Sequence, residues 1–329
     1  MKIIAGIIGM GIGQKHFDAI ENYKGSEVKI ICEKDKKKIL LLKRKFPNKT
    51  ITNNENEIFS DKKINLVSIA SYDNYHYPQI IKSLNSNKNI IVEKPMCLNI
   101  QQLKKIVNLL KKKKNIKMTS NLVLRVNSLF KNFKKKINNK KIFYIEGDYI
   151  WGRKKKLFGW RSKLKEYSLT LGAGIHIIDL IVWLTNLKPI SVSAFGNDKS
   201  TKKTIFKKNS LILMVFKFPK NILVKISANA AAMHDHFHEL KIFSKDETLI
   251  NFKFCSFSFK KNKIIKNNFA YPDKKNRKKL IQNFIDSLLK KNTKPIITIK
   301  EQLNLMSICF AVDKSIKLNK KIKIKYLYS

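Results

Sequence analysis

Residues 9–16 read GMGIGQKH and follow the apolar run IIAGII, with glycines at Gly9, Gly11 and Gly13. Glycines between a strand and a helix let the backbone approach a phosphate, whose charge is then met by N–H groups at the helix start. A dinucleotide turn reads G-x-G-x-x-G, and here the third glycine comes one residue early. Glu33 lies 22 residues after Gly11 at the end of the next apolar run, where a carboxylate accepts from ribose hydroxyls. That charge would repel the extra phosphate of NADP and so favours NAD, with Lys34 and Lys36 beside it pulling the other way. A second chemical cluster, HDHFH, sets His234, His236 and His238 on one face of a predicted strand. Neither cysteine nor a carboxylate pattern accompanies it, so no metal is expected. Cys32, Cys97, Cys255 and Cys309 are at least 54 positions apart, which leaves no C-x-x-C pair and fits a reducing cytoplasm.

The elements that must hold these residues alternate for about 120 positions. Strand-like KIIAGIIG, EVKIIC, INLVSIAS and KNIIVEK are separated by helical stretches near 13–24, 35–46, 76–86 and 99–114. Strands alternating with helices form parallel β-α-β units, and near-continuous apolar strands suit a sheet buried on both faces. After residue 120 the pattern changes. A helix over 123–138 leads to KIFYIEGDYIW and a helix over 174–185, then to strands such as SLILMVFKF, NILVKISAN, HELKIFS and ETLINFKF. Successive strands of this kind favour a mostly antiparallel sheet, and helices over 275–291 and 300–318 close the chain. The expected division is therefore a domain at 1–120 and a second at 121–329.

A chain of 329 residues with 43% hydrophobic content is long enough for two packed cores. The start MKIIAGIIGMGIG lacks an A-x-A cleavage site and is read as a first strand rather than a leader. The longest apolar stretch, GIHIIDLIVWL, carries His176 and Asp179 and is too short to span a bilayer, so a soluble protein is expected. The net charge of +46 by itself suggests a nucleic-acid partner. Lysine runs recur along the whole length, however, with Asn and Ile equally inflated, which reads as a chain-wide bias with most lysines on solvated faces. Nucleic acid is kept only as the competing class.

Residues 89–99, NIIVEKPMCLN, place Glu93, Lys94 and Pro95 at the carboxyl end of a predicted parallel strand. SIASYDNYHYPQII carries Ser71, Asn74 and His76 after the preceding strand, and LGAGIHIIDLIVWLTN gives G-x-H-x-x-D. Together these resemble the Gfo/Idh/MocA family of NAD(P)-dependent oxidoreductases along essentially the whole chain. The resemblance implies a doubly wound parallel Rossmann sheet followed by an α+β domain with a mostly antiparallel, open-faced sheet. It also implies that Gly9, Met10, Gly11, Ile12 and Gly13 form a shortened cofactor cradle. Glu33, Ser71, Asn74, His76, Glu93 and Lys94 would complete the NAD site.

Oxidising a secondary alcohol needs a hydride acceptor, a base and groups that position the carbinol carbon. His176 suits the base, with Asp179 three residues on to orient it. Lys94 suits a positioning ammonium, as the family suggests. Many members carry an aspartate four residues before the histidine, whereas this chain has Gly172. Arg125 falls where the family often sets a substrate arginine, and Arg161 and Tyr167 lie on the segment leading to His176; a guanidinium fork suits carboxylate or phosphate. The implied activity is NAD-dependent oxidoreduction of a sugar or nucleotide sugar, in the setting of surface-polysaccharide biosynthesis, by a cytoplasmic homo-oligomer, a dimer or tetramer. An NAD-using epimerase, a glycoside-cleaving member and an idle cofactor-binding subunit are the alternatives.

Overall fold

In the computed structural model, residues 2–139, 141–253, 255–260, 263–267, 269 and 271–328 are described. They form two units: the chain up to Val123 together with Lys275–Leu303, and Leu124–Lys274 together with Asn304–Tyr326.

In the first unit, β1 (Ile3–Ile8), β2 (Ser26–Cys32), β3 (Thr50–Thr52), β4 (Leu66–Ile69), β5 (Asn89–Val92) and β6 (Met118–Ser120) pair in parallel. Their order is β3-β2-β1-β4-β5-β6, so the sheet is doubly wound and reverses direction between β1 and β4. All four residues of β4 are buried, as a strand covered on both faces requires. The crossovers carry α1 (Gly13–Glu21), α2 (Lys36–Lys45), α3 (Asn56–Ser60), α4 (Asp73–Asn85) and α5 (Ile100–Lys112). Two of these starts are capped by side chains: Asp35 accepts from Lys37 and Lys38 N–H, and Asn99 from Gln102 N–H.

The second unit opens on α6 (Ser128–Lys136), where the predicted helix from 123 is instead a 3-10 turn, Val123–Val126, and a fresh start capped by Asn127. Its sheet is built from β7 (Ile142–Ile150), β8 (Ser191–Asn197), β9 (Leu211–Lys217), β10 (Leu223–Asn229), β11 (Phe237–Ser244), β12 (Thr248–Asn251), β13 (Ser256–Lys260), β14 (Lys263–Asn267) and β15 (Ile322–Lys323). The order is β14-β13-β12-β11-β7-β10-β9-β8-β15, and among the described strands only the β7–β10 pair is parallel. The predicted strand ETLINFKF reaches residue 254, which lies outside the described residues; β12 ends at Asn251. The short helix α7 (Trp160–Lys163) leads into a π-helical turn, Thr170–Gly174, and then α8 (Ile175–Thr185). α8 lies directly on β7. A Cβ on Gly147 would meet Ile177 Cγ2 at 2.5 Å, so glycine at this strand position is what permits the close approach.

The chain closes with α9 (Lys278–Leu289) and α10 (Ile299–Leu318). Here the structure departs from the expected 121–329 division, because α9 packs back on the first unit. Ile281, Phe284 and Ile285 join the cluster of Ile3, Phe17 and Ile20, and Tyr23 donates to Asp286 at 2.5 Å. Each such apolar side chain contributes about 1.5–3 kcal/mol on burial, which keeps the segment with the sheet it covers. No described helix is long and apolar enough to cross a membrane.

Candidate active site

The three glycines of the turn do three different jobs. Gly9 has φ of 86°, and a Cβ there would lie 2.7 Å from the Ala70 carbonyl oxygen, so the end of β1 can turn against the end of β4 only without a side chain. Around Gly11 no described atom comes within 4 Å of a Cβ position, which leaves the space above it open. A Cβ on Gly13 would sit 3.3 Å from Ile7 and Ala70, so this glycine seats α1 on the sheet. Tight turn, open approach and helix packing are the three requirements of a pyrophosphate cradle, and the shortened loop meets all three at the point where the strand order reverses. The residues present therefore fit a dinucleotide. Ile12 is exposed beside Gly11, whereas Met10 is buried.

Glu33 is tied to this loop. Its Oε2 accepts from Met10 N–H at 3.0 Å, and its Oε1 accepts from Lys34 N–H at 2.8 Å and Asp35 N–H at 3.2 Å. A carboxylate has about four acceptor positions, so these bonds leave Oε2 with capacity for a ribose hydroxyl. Ser71 donates to Gln79 Oε1 at 2.7 Å, and Asn74 is partly buried in the first turn of α4. His76 was expected to face the cofactor, but it is fully buried. Its Nδ1 lies 2.7 Å from the Pro95 carbonyl oxygen and its Nε2 3.0 Å from that of Ser71, so it braces the β4–α4 loop against the E-K-P loop.

Glu93 lies inside a polar network that the motif alone did not reveal. Its Oε1 accepts from Asn121 Nδ2 at 2.6 Å and pairs with His16 Nε2 at 3.1 Å, while His16 Nδ1 lies 2.7 Å from Ser68 Oγ. Burial alone would push this carboxyl up; the bonds from His16 and Asn121, with the Lys94 charge, outweigh it and hold Glu93 below the usual carboxylate range. Glu93 thus serves as an internal brace among α1, β4, β5 and the end of β6, and Lys94 emerges partly buried beside it. His16 had a signal, since it lies three residues after Gly13 on the inner face of α1. Asn121 follows β6, a strand too short to stand out.

In the second unit, His176 opens α8 with its ring stacked on Tyr149 of β7, centroids 5.7 Å apart and planes 10° from parallel. Gly147 and Tyr149 share one face of the strand, so the glycine that admits α8 also sets His176 over the tyrosine ring. His238 approaches both rings edge-on, at 4.7 Å from Tyr149 and 6.1 Å from His176. The three histidines of HDHFH do not share a strand face, because β11 starts only at Phe237; His234 lies in the preceding turn, with Nδ1 2.7 Å from the Asp235 carbonyl oxygen. Among the described residues no cluster of three or more His, Cys, Asp or Glu could hold a metal.

Two expectations change here. Arg125 is 1% exposed and points its fork at Asp179, with Nη2–Oδ1 at 2.6 Å and Nε–Oδ2 at 3.0 Å. It forms a core ion pair with Asp179, itself 2% exposed, in place of the exposed position expected of a substrate arginine. Arg161 remains on the surface, its guanidinium 4.2 Å from the Trp160 ring centroid and 5.4 Å from that of Trp151. Tyr167 is buried. Lys94 thus belongs to the first unit, and His176, Arg161 and Tyr167 to the second.

Residues 3–121 match the oxidoreductase family with an NAD-binding Rossmann fold, GFO_IDH_MocA, and residues 141–250 match the GFO/IDH/MocA C-terminal domain. Over 107 residues the chain is 29% identical to the uncharacterized oxidoreductase YdgJ of Escherichia coli, covering 32% of this chain and 30% of that protein. Over 242 residues it is 24% identical to the inositol 2-dehydrogenase of Salmonella typhimurium, covering 71% of this chain and 70% of that enzyme. The fold superposes on the scyllo-inositol dehydrogenase of Lactobacillus casei, solved with NAD(H) and scyllo-inositol, with a TM-score of 0.81 at 19% identity, covering 98% of this chain and 99% of that one.

Proposed function

The chain belongs to the Gfo/Idh/MocA family of NAD-binding oxidoreductases, and on that premise we propose that it interconverts a secondary hydroxyl and a ketone on a cyclic polyol or sugar. Bound NAD supplies the hydride acceptor for this chemistry. The open space above Gly11, at the turn where the strand order reverses, carries the reading most strongly. Gly9, Gly11 and Gly13 hold the pyrophosphate, and Glu33 holds the ribose through the acceptor position left on Oε2. His176 supplies an imidazole base that takes the hydroxyl proton. Lys94, whose backbone N–H donates to Glu93 Oε2, supplies a positioning ammonium for the substrate hydroxyl. The similarity to inositol dehydrogenases supports a ring polyol as substrate.

A sugar that carries phosphate, as a nucleotide sugar does, is the second reading. Arg161 lies over Trp160 and near Trp151, and burial together with the nearby Arg153 and Arg161 charges holds the Lys156 ammonium below its ordinary value. Cations crowded in this way favour an anion. A homo-oligomer is the assembly we propose, through the open face of the β7–β10 region, where Phe195, Val215 and Leu223 are exposed around Glu146, Asp148, Lys225 and Lys241.

The purified protein, titrated with NADH by fluorescence and then offered inositols, hexoses and nucleotide sugars with NAD, tests the reading. Polyol-dependent NADH formation supports it, nucleotide-sugar turnover moves the assignment to the second reading, and failure to bind NADH refutes both.

A further inference from the structure

Asp313 of α10 is a partly buried acid with no part in the proposed reaction. Both of its oxygens are engaged by the segment that leads to His176: Oδ2 accepts from Ser168 Oγ at 2.8 Å and Oδ1 from Thr170 Oγ1 at 2.6 Å. These hydroxyls sit at the start of the π-helical turn Thr170–Gly174. Ser168 Oγ also accepts from Leu171 N–H at 3.2 Å, and the Ser168 carbonyl accepts from Gly172 N–H at 3.0 Å. At the far end the Thr170 carbonyl accepts from Ile175 N–H, the five-residue closure that defines such a turn. His176 is the next residue. A Cβ on Gly172 would fall 2.0 Å from the Tyr167 hydroxyl oxygen, so the bare glycine lets the buried Tyr167 ring pack against the turn. Asp313 is itself firmly mounted, because two residues on Ser315 Oγ accepts from Ala194 N–H of β8 at 2.9 Å.

We propose that Asp313 is the positioning residue of the His176 base: by holding Ser168 and Thr170 it keeps the π-turn closed, and the closed turn sets the direction in which His176 leaves the first turn of α8. π-helical closures are rare and occur mostly as single turns at functional sites. An α-type closure here would rotate the chain on one side of the turn by about 100° relative to the other. The body of α8 has no room to follow, since Ile177 lies against Gly147 and Asp179 is paired with Arg125. A loosened turn therefore puts its slack into residues 170–176, and the seat of His176 over the Tyr149 ring is the first contact it disturbs. Hydrogen bonds to a carboxylate are about twice as strong as those between neutral groups, which suits Asp313 to holding a closure that the backbone alone disfavours. The inference rests on His176 as the base, so its first test reads the turn and not turnover.

Amide hydrogen exchange at Ile175, followed in the protein without cofactor, reports opening of the turn. Asp313→Ala removes both acceptors and should quicken that exchange about tenfold or more, with the amides of α8 beyond Asp179 unchanged. Thr170→Val keeps the side-chain shape, removes one hydroxyl and should act in the same direction, adding little in the Asp313→Ala background because both changes break one contact. Asp313→Asn keeps an acceptor oxygen and should restore most of the protection. In an active enzyme kcat should fall about ten- to a hundredfold in Asp313→Ala and recover in Asp313→Asn, with KM and NADH affinity little changed in both. Wild-type exchange at Ile175 in Asp313→Ala overturns the proposal, and if that variant does not fold, wild-type exchange in Thr170→Val does so. A fall in kcat that Asp313→Asn does not recover, or that comes with an equal loss of NADH affinity, overturns it as well and leaves Asp313 a part of the core. The expected exchange order in a protein that turns over no polyol or sugar would instead refute the proposed function while Asp313 stands as the holder of the turn.

Discussion

If Arg125 and Asp179 form a structural ion pair, removing either partner should damage folding before it damages substrate binding. Both side chains are at most 2% exposed, and the fork meets the carboxylate through three N–H···O contacts of 2.6–3.2 Å. Taking away one partner strands the other charge in the core at a cost of about 3–5 kcal/mol. At about 2–4 °C per kcal/mol for a unit of this size, Arg125→Met or Asp179→Asn should lower the melting temperature by roughly 6–20 °C. The double change Arg125→Met with Asp179→Leu removes both charges. Replacing a buried pair with apolar side chains is often neutral or better, so the double variant should melt well above the single variants. Differential scanning calorimetry gives the three temperatures, and steady-state kinetics below the lowest of them gives KM. Single variants that melt like the wild type but raise KM tenfold would refute the reasoning and return Arg125 to the substrate.

The remaining predictions concern the cradle, the base and Asp313 of α10, which accepts from Ser168 Oγ at 2.8 Å and Thr170 Oγ1 at 2.6 Å. Gly9→Ala should destabilise the fold by about 1–3 kcal/mol, because its φ of 86° disfavours a side chain and the Ala70 carbonyl oxygen lies in the way. Gly11→Val should leave the melting temperature unchanged yet weaken NADH binding about tenfold or more; calorimetric titration and thermal melts separate the two glycines. His176→Asn should lower kcat by roughly a hundredfold or more with NADH affinity unchanged, the usual scale for loss of a general base, and near-normal turnover would remove it from that role. Burial pushes Asp313 up to about 6 despite the Ser168 and Thr170 bonds. A carboxyl whose folded pKa is raised contributes stability below its unfolded value that is lost as pH rises through about 6. Asp313→Asn should therefore gain on wild type between pH 4 and 7, by on the order of 3 kcal/mol, and parallel urea-unfolding curves across that range would count against it.

What the sequence made legible follows from what apolar periodicity encodes. β1, β2, β4 and β5 are continuous apolar runs and announce a parallel sheet, and Gly9, Gly11, Glu33 and the E-K-P of β5 are anchored to the ends of those runs. β3 and β6, three residues each and part polar, carry too little pattern to register. α9 shows a clear helical period, but period says only that a face is buried, not which unit buries it; Phe284 meeting Phe17 and Ile20 is a fact of tertiary structure.

Polar residues that point inward were the harder part, and for one reason. A charged or hydroxyl-bearing side chain is expected at the surface or at a site, and in both cases it is expected to face outward. Arg125 and His76 fit that expectation by position, yet each is buried and bonds to the protein itself. Their partners, Asp179, Pro95 and Ser71, lie 54, 19 and 5 positions away, and no spacing rule joins them. The same blindness acts in reverse at Gly172. A missing side chain reads as a gap in the sequence, whereas the fold brings the Tyr167 phenol back across five residues to fill it, so the departure at position 172 must be judged from what occupies the space rather than from the letter that stands there.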